Sequence, residues 1–125
     1  MLRSLPRRSA YVNAHGTGTL VNDATEARAI ADLFGPHARR LLVSSTKAVH
    51  GHAMGAGGAL EAVATVLALA DGRIPPTANL VEADPDLPAL DFVPDPGRRA
   101  DVEVAVKNSF AFGGNNAVLV LRRAA

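Results

Sequence analysis

Apolar and polar positions along this chain fall into short blocks with two different periods. Tyr11-Val12-Asn13-Ala14 and Leu41-Leu42-Val43-Ser44-Ser45 are runs too short for helices, and they read as buried strands. Between them Ala27, Ile30, Ala31 and Phe34 recur at helical spacing, with Gly35-Pro36 as the stop. Asp23 is expected to cap that helix, with Glu26 three residues on as its capping-box partner. From about Gly55 to Ala70 the residues Val63, Ala64, Val66, Leu67, Ala68 and Leu69 leave almost no polar face, which predicts a helix buried nearly all round. Gly55, Gly57 and Gly58 at its start permit close approach of a neighbouring element. Ile74-Pro75-Pro76-Thr77 reads as a turn or extended segment, and the stretch to Gly97 as loop around a short strand at Leu90 to Val93. Two last strands, Val102 to Asn108 and Ala117 to Leu121, flank Phe112-Gly113-Gly114. The loops after the first two strands are where an open α/β sheet gathers its chemistry.

Composition narrows the classes. A chain of 125 residues with 48% hydrophobic content suits one small domain, read as 11–125 behind a short basic extension, 1–10. That extension lacks acids, as transit peptides do, but it is too short and runs straight into a strand. The net charge of +1 and the scatter of basic pairs (Arg7-Arg8, Arg39-Arg40, Arg98-Arg99, Arg122-Arg123) argue against a nucleic-acid binder. Those pairs suit solvated faces and ends, or else a docking surface for an acidic partner. The longest apolar stretch, Ala62 to Ala70, is interrupted by Thr65 and bounded by Glu61 and Asp71. It is about half the ~20 residues that a bilayer crossing takes, so no membrane span is expected. The absence of cysteine excludes disulfides and thiolate metal sites, and it fits a reducing, cytoplasmic setting.

Glu61 is the clearest chemical signal, because it stands in an otherwise apolar helix and an unpaired buried carboxylate is very costly. Lys47, on the loop leading into that helix, is the natural partner; the alternative is a Glu61 that reaches water near a helix end. Such a pair would fix the lysine head beside His52. His15 and His52 follow the first two strands, and two neutral imidazoles can donate N–H groups to a carbonyl oxygen that gains charge. Other chemistries fail. His50-Gly51-His52 with His15 lacks a fourth ligand, so no metal is expected. Gly55-Ala56-Gly57-Gly58-Ala59-Leu60 misses the third glycine of a dinucleotide fingerprint, and no G-x-S-x-G elbow activates Ser44, Ser45 or Ser109.

Three motifs together carry a resemblance: His15-Gly16-Thr17-Gly18-Thr19, Ser45-Thr46-Lys47-Ala48-Val49-His50-Gly51-His52, and Asn108-Ser109-Phe110-Ala111-Phe112-Gly113-Gly114. With Pro75-Pro76-Thr77-Ala78-Asn79-Leu80 and Asp91-Phe92-Val93-Pro94, they resemble the C-terminal half of β-ketoacyl-[acyl-carrier-protein] synthases, the condensing enzymes of fatty acid and polyketide synthesis. The resemblance implies an α/β, thiolase-like C-terminal half: a mixed sheet with one buried and one outer helix, half of a layered αβαβα sandwich. It implies an acyltransferase that joins malonyl and acyl thioesters in a decarboxylative Claisen condensation. His15 and His52 would hold the malonyl carbonyl, and Lys47, paired with Glu61, would position His52. Phe112 would gate the acyl pocket and lend its N–H to an oxyanion hole, with Gly113 and Gly114 shaping its turn. No cofactor is implied beyond the phosphopantetheine arm of acyl carrier protein as substrate carrier. The implied partners are acyl carrier protein, a cysteine-bearing N-terminal half and a second synthase subunit, homo- or heterodimeric, with neither nucleic acid nor membrane. Without that half the chain is expected to be inactive; the alternative is a non-catalytic, chain-length-factor-like partner or remnant. Two departures stand out: His50 lies where a small or hydroxylated residue is more usual, and Ala111 where glycine is common.

Overall fold

A computed structural model describes residues 10–124. The expected extension, Arg7-Arg8 included, therefore lies outside the described residues except for Ala10, which already belongs to the first strand. In chain order the elements are β1 (Ala10–Asn13), α1 (Leu20–Phe34), β2 (Leu42–Ser44), the short α2 (Lys47–His50), α3 (Gly57–Asp71), β3 (Arg73–Ile74), β4 (Asp91–Phe92), β5 (Arg98–Arg99), β6 (Val104–Phe110) and β7 (Asn116–Arg122). The main sheet runs β4-β2-β1-β6-β7, parallel except for the β6–β7 hairpin, and β3 pairs with β5 in a small antiparallel ribbon. α2 and β5 are elements the pattern did not predict, and β3 falls where it offered only a turn or extended segment from Ile74. Each is a single turn or a two-residue strand, too short for a period to register.

The two-residue alternation of the strands divides the core between the sheet faces. On one side Tyr11, Leu42 and Ala105 pack with Ala68 and Leu69 of α3, and with Ile74, Val93 and Val102. On the other, Ala10, Val12, Ala14, Val43 and Val106 pack against Ile30 of α1, with Phe34 and Phe92 alongside. The mixed sheet between one helix on each face agrees with the half-sandwich that the resemblance implied.

α3 departs from the expectation of burial all round. Its sheet-facing positions are Gly57, Glu61, Thr65, Ala68 and Leu69, whereas Leu60, Val63, Val66 and Leu67 point outward, Val63 being 59% exposed. The polar Glu61 and Thr65 thus face in beside Ala68 and Leu69, while four larger apolar side chains face out. Val118, Leu119 and Val120 of the neighbouring edge strand β7 are exposed as well. By length and composition alone Met54–Asp71 is long and apolar enough to cross a membrane, with 18 residues and a mean hydropathy of 1.3. The regular helix within it is only about 22 Å long at 1.5 Å per residue, short of a ~30 Å hydrocarbon core. It also carries a charged carboxylate on its packed side, as a sheet-covering helix can.

An apolar face of this size drives association in water. We expect the purified chain to sediment as dimers or larger species, and Val63→Glu with Leu67→Lys to shift it towards monomer. A dilution-independent monomer in sedimentation velocity would contradict this. Three members of the basic pairs engage local acids: Arg98 Nη1 lies 2.6 Å from Asp91 Oδ2, Arg122 Nη2 2.8 Å from Glu103 Oε1, and Arg123 Nη2 2.7 Å from Asp101 Oδ1.

Candidate active site

The site lies at the C-terminal ends of β1 and β2. β1 delivers His15 and β2 delivers Lys47 and His52, while β6 supplies one wall and the start of α3 the floor. The cavity holds about 330 Å³ and is lined by His15, Lys47, His52, Glu61, Ser109 and Phe110 among others.

The turn after β1 is fixed by Glu26. Its carboxylate accepts the backbone N–H groups of His15 at 2.8 Å and Gly16 at 2.9 Å, and the Asn108 amide at 2.9 Å. The capping-box reading of Glu26 is thereby corrected. α1 starts at Leu20 behind Thr19, and Asp23 reaches back from its first turn to the Gly18 N–H at 3.2 Å, so Glu26 is free to face the site. Gly16 has a φ of 38°, and a Cβ there would lie 2.5 Å from Ser45 Cβ, so this position admits only glycine without rearrangement.

Glu61 is 1% exposed and is paired, as expected, with Lys47. Sequence reasoning missed a second partner: Lys107 Nζ stands 2.6 Å from the other carboxylate oxygen. The signal was available, since a lysine inside a strand predicted to be buried calls for an acid. Burial pushes the Glu61 carboxyl up, but the Lys107 and Lys47 hydrogen bonds outweigh it and hold the group below its ordinary value. Asn13 joins the same layer, donating to Thr65 Oγ1 at 3.0 Å and to the Glu61 carbonyl at 3.3 Å.

Lys47 turns to His15 and not to His52, which corrects the expected arrangement. Its Nζ donates to the His15 carbonyl at 2.6 Å and lies 3.3 Å from His15 Nδ1. An ammonium only donates, so Nδ1 accepts and the ring proton rests on Nε2. Burial, then the Lys47 charge, hold the His15 imidazole below its ordinary 6.5, which keeps it neutral at pH 7. His52 is oriented by its own loop: Met54 N–H donates to its Nδ1 at 3.2 Å, again leaving the proton on Nε2. The two rings meet edge to face, centroids 5.7 Å apart. The result is a pair of Nε2–H donors at one cavity, an arrangement suited to an oxygen that acquires negative charge.

Phe112, Gly113 and Gly114 are not brought to this pair. They form a single 3-10 turn, with Gly113 at φ 78° and Gly114 at φ 79°, and the Phe112 ring is 94% exposed. The cavity wall from this segment is instead Ser109, Phe110 and Ala111, with Asn115, Asn116 and Ala117 beyond the turn. Ala111 has φ −137° and ψ 163°, an extended conformation open to any residue, so its departure from glycine costs no backbone strain. His50 faces its own loop, with Nε2 3.1 Å from Thr46 Oγ1 and Nδ1 2.8 Å from the Gly51 carbonyl.

Known proteins resemble this chain in sequence and fold. The chain is 49% identical over 118 residues to 3-oxoacyl-[acyl-carrier-protein] synthase 2 of Synechocystis sp., and 52% identical over 118 residues to the protein of that name from Coxiella burnetii. In both cases the match covers 94% of this chain and 28% of the relative, so the chain spans little more than a quarter of their length. Among solved structures, a β-ketoacyl synthase from Burkholderia phymatum superposes with a TM-score of 0.87 at 43% identity, covering 94% of this chain and 28% of that one. The ishigamide ketosynthase/chain length factor gives 0.84 at 48% identity, covering 92% and 28%. A type II PKS acyl-carrier protein in complex with its ketosynthase bound to the hexaketide gives 0.87 at 36% identity, covering 91% and 28%. The model of the β-ketoacyl synthase C-terminal domain matches residues 2–81, and with the fold and the paired histidines already in place, the chain belongs to the β-ketoacyl synthase family, as part of its C-terminal domain.

Proposed function

We propose that this chain is the C-terminal part of a 3-oxoacyl-[acyl-carrier-protein] synthase and supplies the decarboxylation half of its site. The observation that carries the reading is the edge-to-face pair of His15 and His52, each with its proton on Nε2. In the reaction a cysteine thiolate takes the acyl group from its carrier as a thioester. The malonyl thioester then enters, and both imidazoles donate to its carbonyl oxygen. Carbon dioxide leaves, and the electron pair of the broken C–C bond becomes an enolate whose oxygen the two N–H donors stabilise. The enolate carbon attacks the cysteine thioester, and the thiolate departs as the ketoacyl product forms. Lys47 and Glu61 hold His15; in the completed site Phe112, exposed on its turn here, would act as the gate with its N–H at the acyl oxyanion, Gly113 and Gly114 allowing that turn.

The 125 residues contain no cysteine, so the nucleophile comes from outside them. A cysteine-bearing N-terminal segment would cover the exposed faces of α3 and β7 and complete the sandwich. Acyl carrier protein would bring both thioesters on phosphopantetheine, in the cytoplasm, to a synthase that works as a dimer. We expect no ketoacyl product from this chain alone with acyl and malonyl carrier-protein thioesters. Product should appear on adding a synthase segment that carries the cysteine, and product without that segment would refute the scheme. The likeness to a ketosynthase/chain length factor favours one second reading, a non-catalytic partner subunit. Tight complex formation with a synthase chain, but no dependence of turnover on His15 or His52, would support it.

A further inference from the structure

Lys107 has no part in the scheme above, yet it is buried at the centre of the site's support. It is 2% exposed on β6, in register with Asn13 of β1, and the strand alternation turns both residues towards α3. Each oxygen of Glu61 has its own lysine: Oε1 takes Lys47, and Oε2 takes Lys107. A second contact of Lys107 is Ser109 Oγ, on the cavity wall. Lys47 spends its remaining donors on the carbonyl and Nδ1 of His15.

We propose that Lys107 is a positioning residue for His15, acting through Glu61 and Lys47. A carboxylate with one free oxygen would draw Lys47 into a two-point pair and away from His15. By occupying Oε2, Lys107 restricts Lys47 to Oε1 and leaves its other N–H groups pointing at the imidazole. The tautomer that exposes Nε2–H is thus set three side chains away, from strand β6. Two cations on one carboxylate also leave the layer with an excess positive charge, which disfavours an imidazolium at His15. The charged and titratable groups acting on that ring are Lys47, Glu26, Glu61 and His52. This rests on the proposed role of His15 as a carbonyl donor.

The test reads the ring nitrogens directly. Long-range proton–nitrogen correlation spectra of histidine-labelled chain report the His15 tautomer and its titration, in solution or, for an associated form, in the solid state. The parent should show the Nε2–H tautomer alone. Lys107→Met should show mixed tautomers and a titration midpoint moved to higher pH, because the freed Glu61 oxygen pulls Lys47 off Nδ1 and neutralises it more fully. Lys107→Arg keeps the charge and should restore the parent pattern. Lys107→Met leaves one lysine on one carboxylate, so no charge is stranded; should it fail to fold, Lys107→Gln keeps a donor and removes the charge. A parental tautomer and midpoint in the neutral variant overturns the proposal. Mixed tautomers with unchanged turnover in the cysteine-complemented complex would instead overturn the role given to His15 and leave the positioning intact.

Discussion

Replacing His15 or His52 with alanine should lower condensation by the cysteine-complemented complex about 10²–10³-fold, or ~3–4 kcal/mol of transition-state stabilisation each. Each ring contributes one fixed N–H to the same developing oxyanion, and neither packs in the apolar core, so assembly should be unaffected. Asparagine at either position keeps a donor and should retain more activity than alanine. The double alanine variant should fall short of the summed losses, since both donors serve one oxygen. Steady-state turnover alongside a binding assay for the complex separates these effects. A His52→Ala variant with parental turnover would show that the edge-to-face pair does not act as a unit.

Glu61→Ala should be the most destabilising single change in the chain, more so than Lys47→Ala. Breaking a buried ion pair from one side costs roughly 3–5 kcal/mol. Losing Lys47 leaves Glu61 still paired with Lys107, whereas losing Glu61 leaves two buried ammonium groups facing each other without a counter-charge. A two-partner carboxylate therefore reverses the ranking that a simple Lys47–Glu61 pair implies. Replacing Glu61 by glutamine retains hydrogen bonding and should recover part of the loss, and adding Lys107→Met to Glu61→Gln should recover more. Urea unfolding of the parent, Glu61→Gln, Lys107→Met and the double variant, combined as a double-mutant cycle, measures the coupling. The pH dependence has a fixed sign. Glu61 sits below its ordinary value of 4.5 in the folded state, so its contribution is complete above that value. It is lost as pH falls through the folded-state midpoint. Equal destabilisation by Lys47→Ala and Glu61→Ala would remove the case for a shared carboxylate.

Much of this site could be read along the chain because its parts are local. The strand-to-loop transitions after Asn13 and Ser44 place His15, Lys47 and His52, and each transition is marked by glycine and by a change of hydrophobic period. Glu61 announced itself as one charge in an apolar helix, and Lys47, on the loop leading into that helix, was its natural partner. What depended on long-range pairing stayed hidden. Lys107 is 46 positions from Glu61 in the numbering, and only the parallel register of β6 on β1 brings it under α3. Glu26 satisfies a local capping pattern equally well, and its true partners, the N–H groups at His15 and Gly16 and the Asn108 amide, lie across a turn and two strands. The choice of His15 over His52 as the ring that Lys47 supports is likewise a matter of where β2 delivers its loop.

The outward face of α3 shows the same division from the side of packing. Composition alone determined that this helix is apolar and that Glu61 needs a counter-charge, because transfer and desolvation energies belong to the residue types. Which face meets the sheet was decided by tertiary structure. Glu61 and Thr65 turn inward because their partners Lys107 and Asn13 are there, and that rotation leaves Leu60, Val63, Val66 and Leu67 outside. Hydrophobicity constrains how much surface must be covered. Only the pairing of specific charges across the fold settles which surface it is.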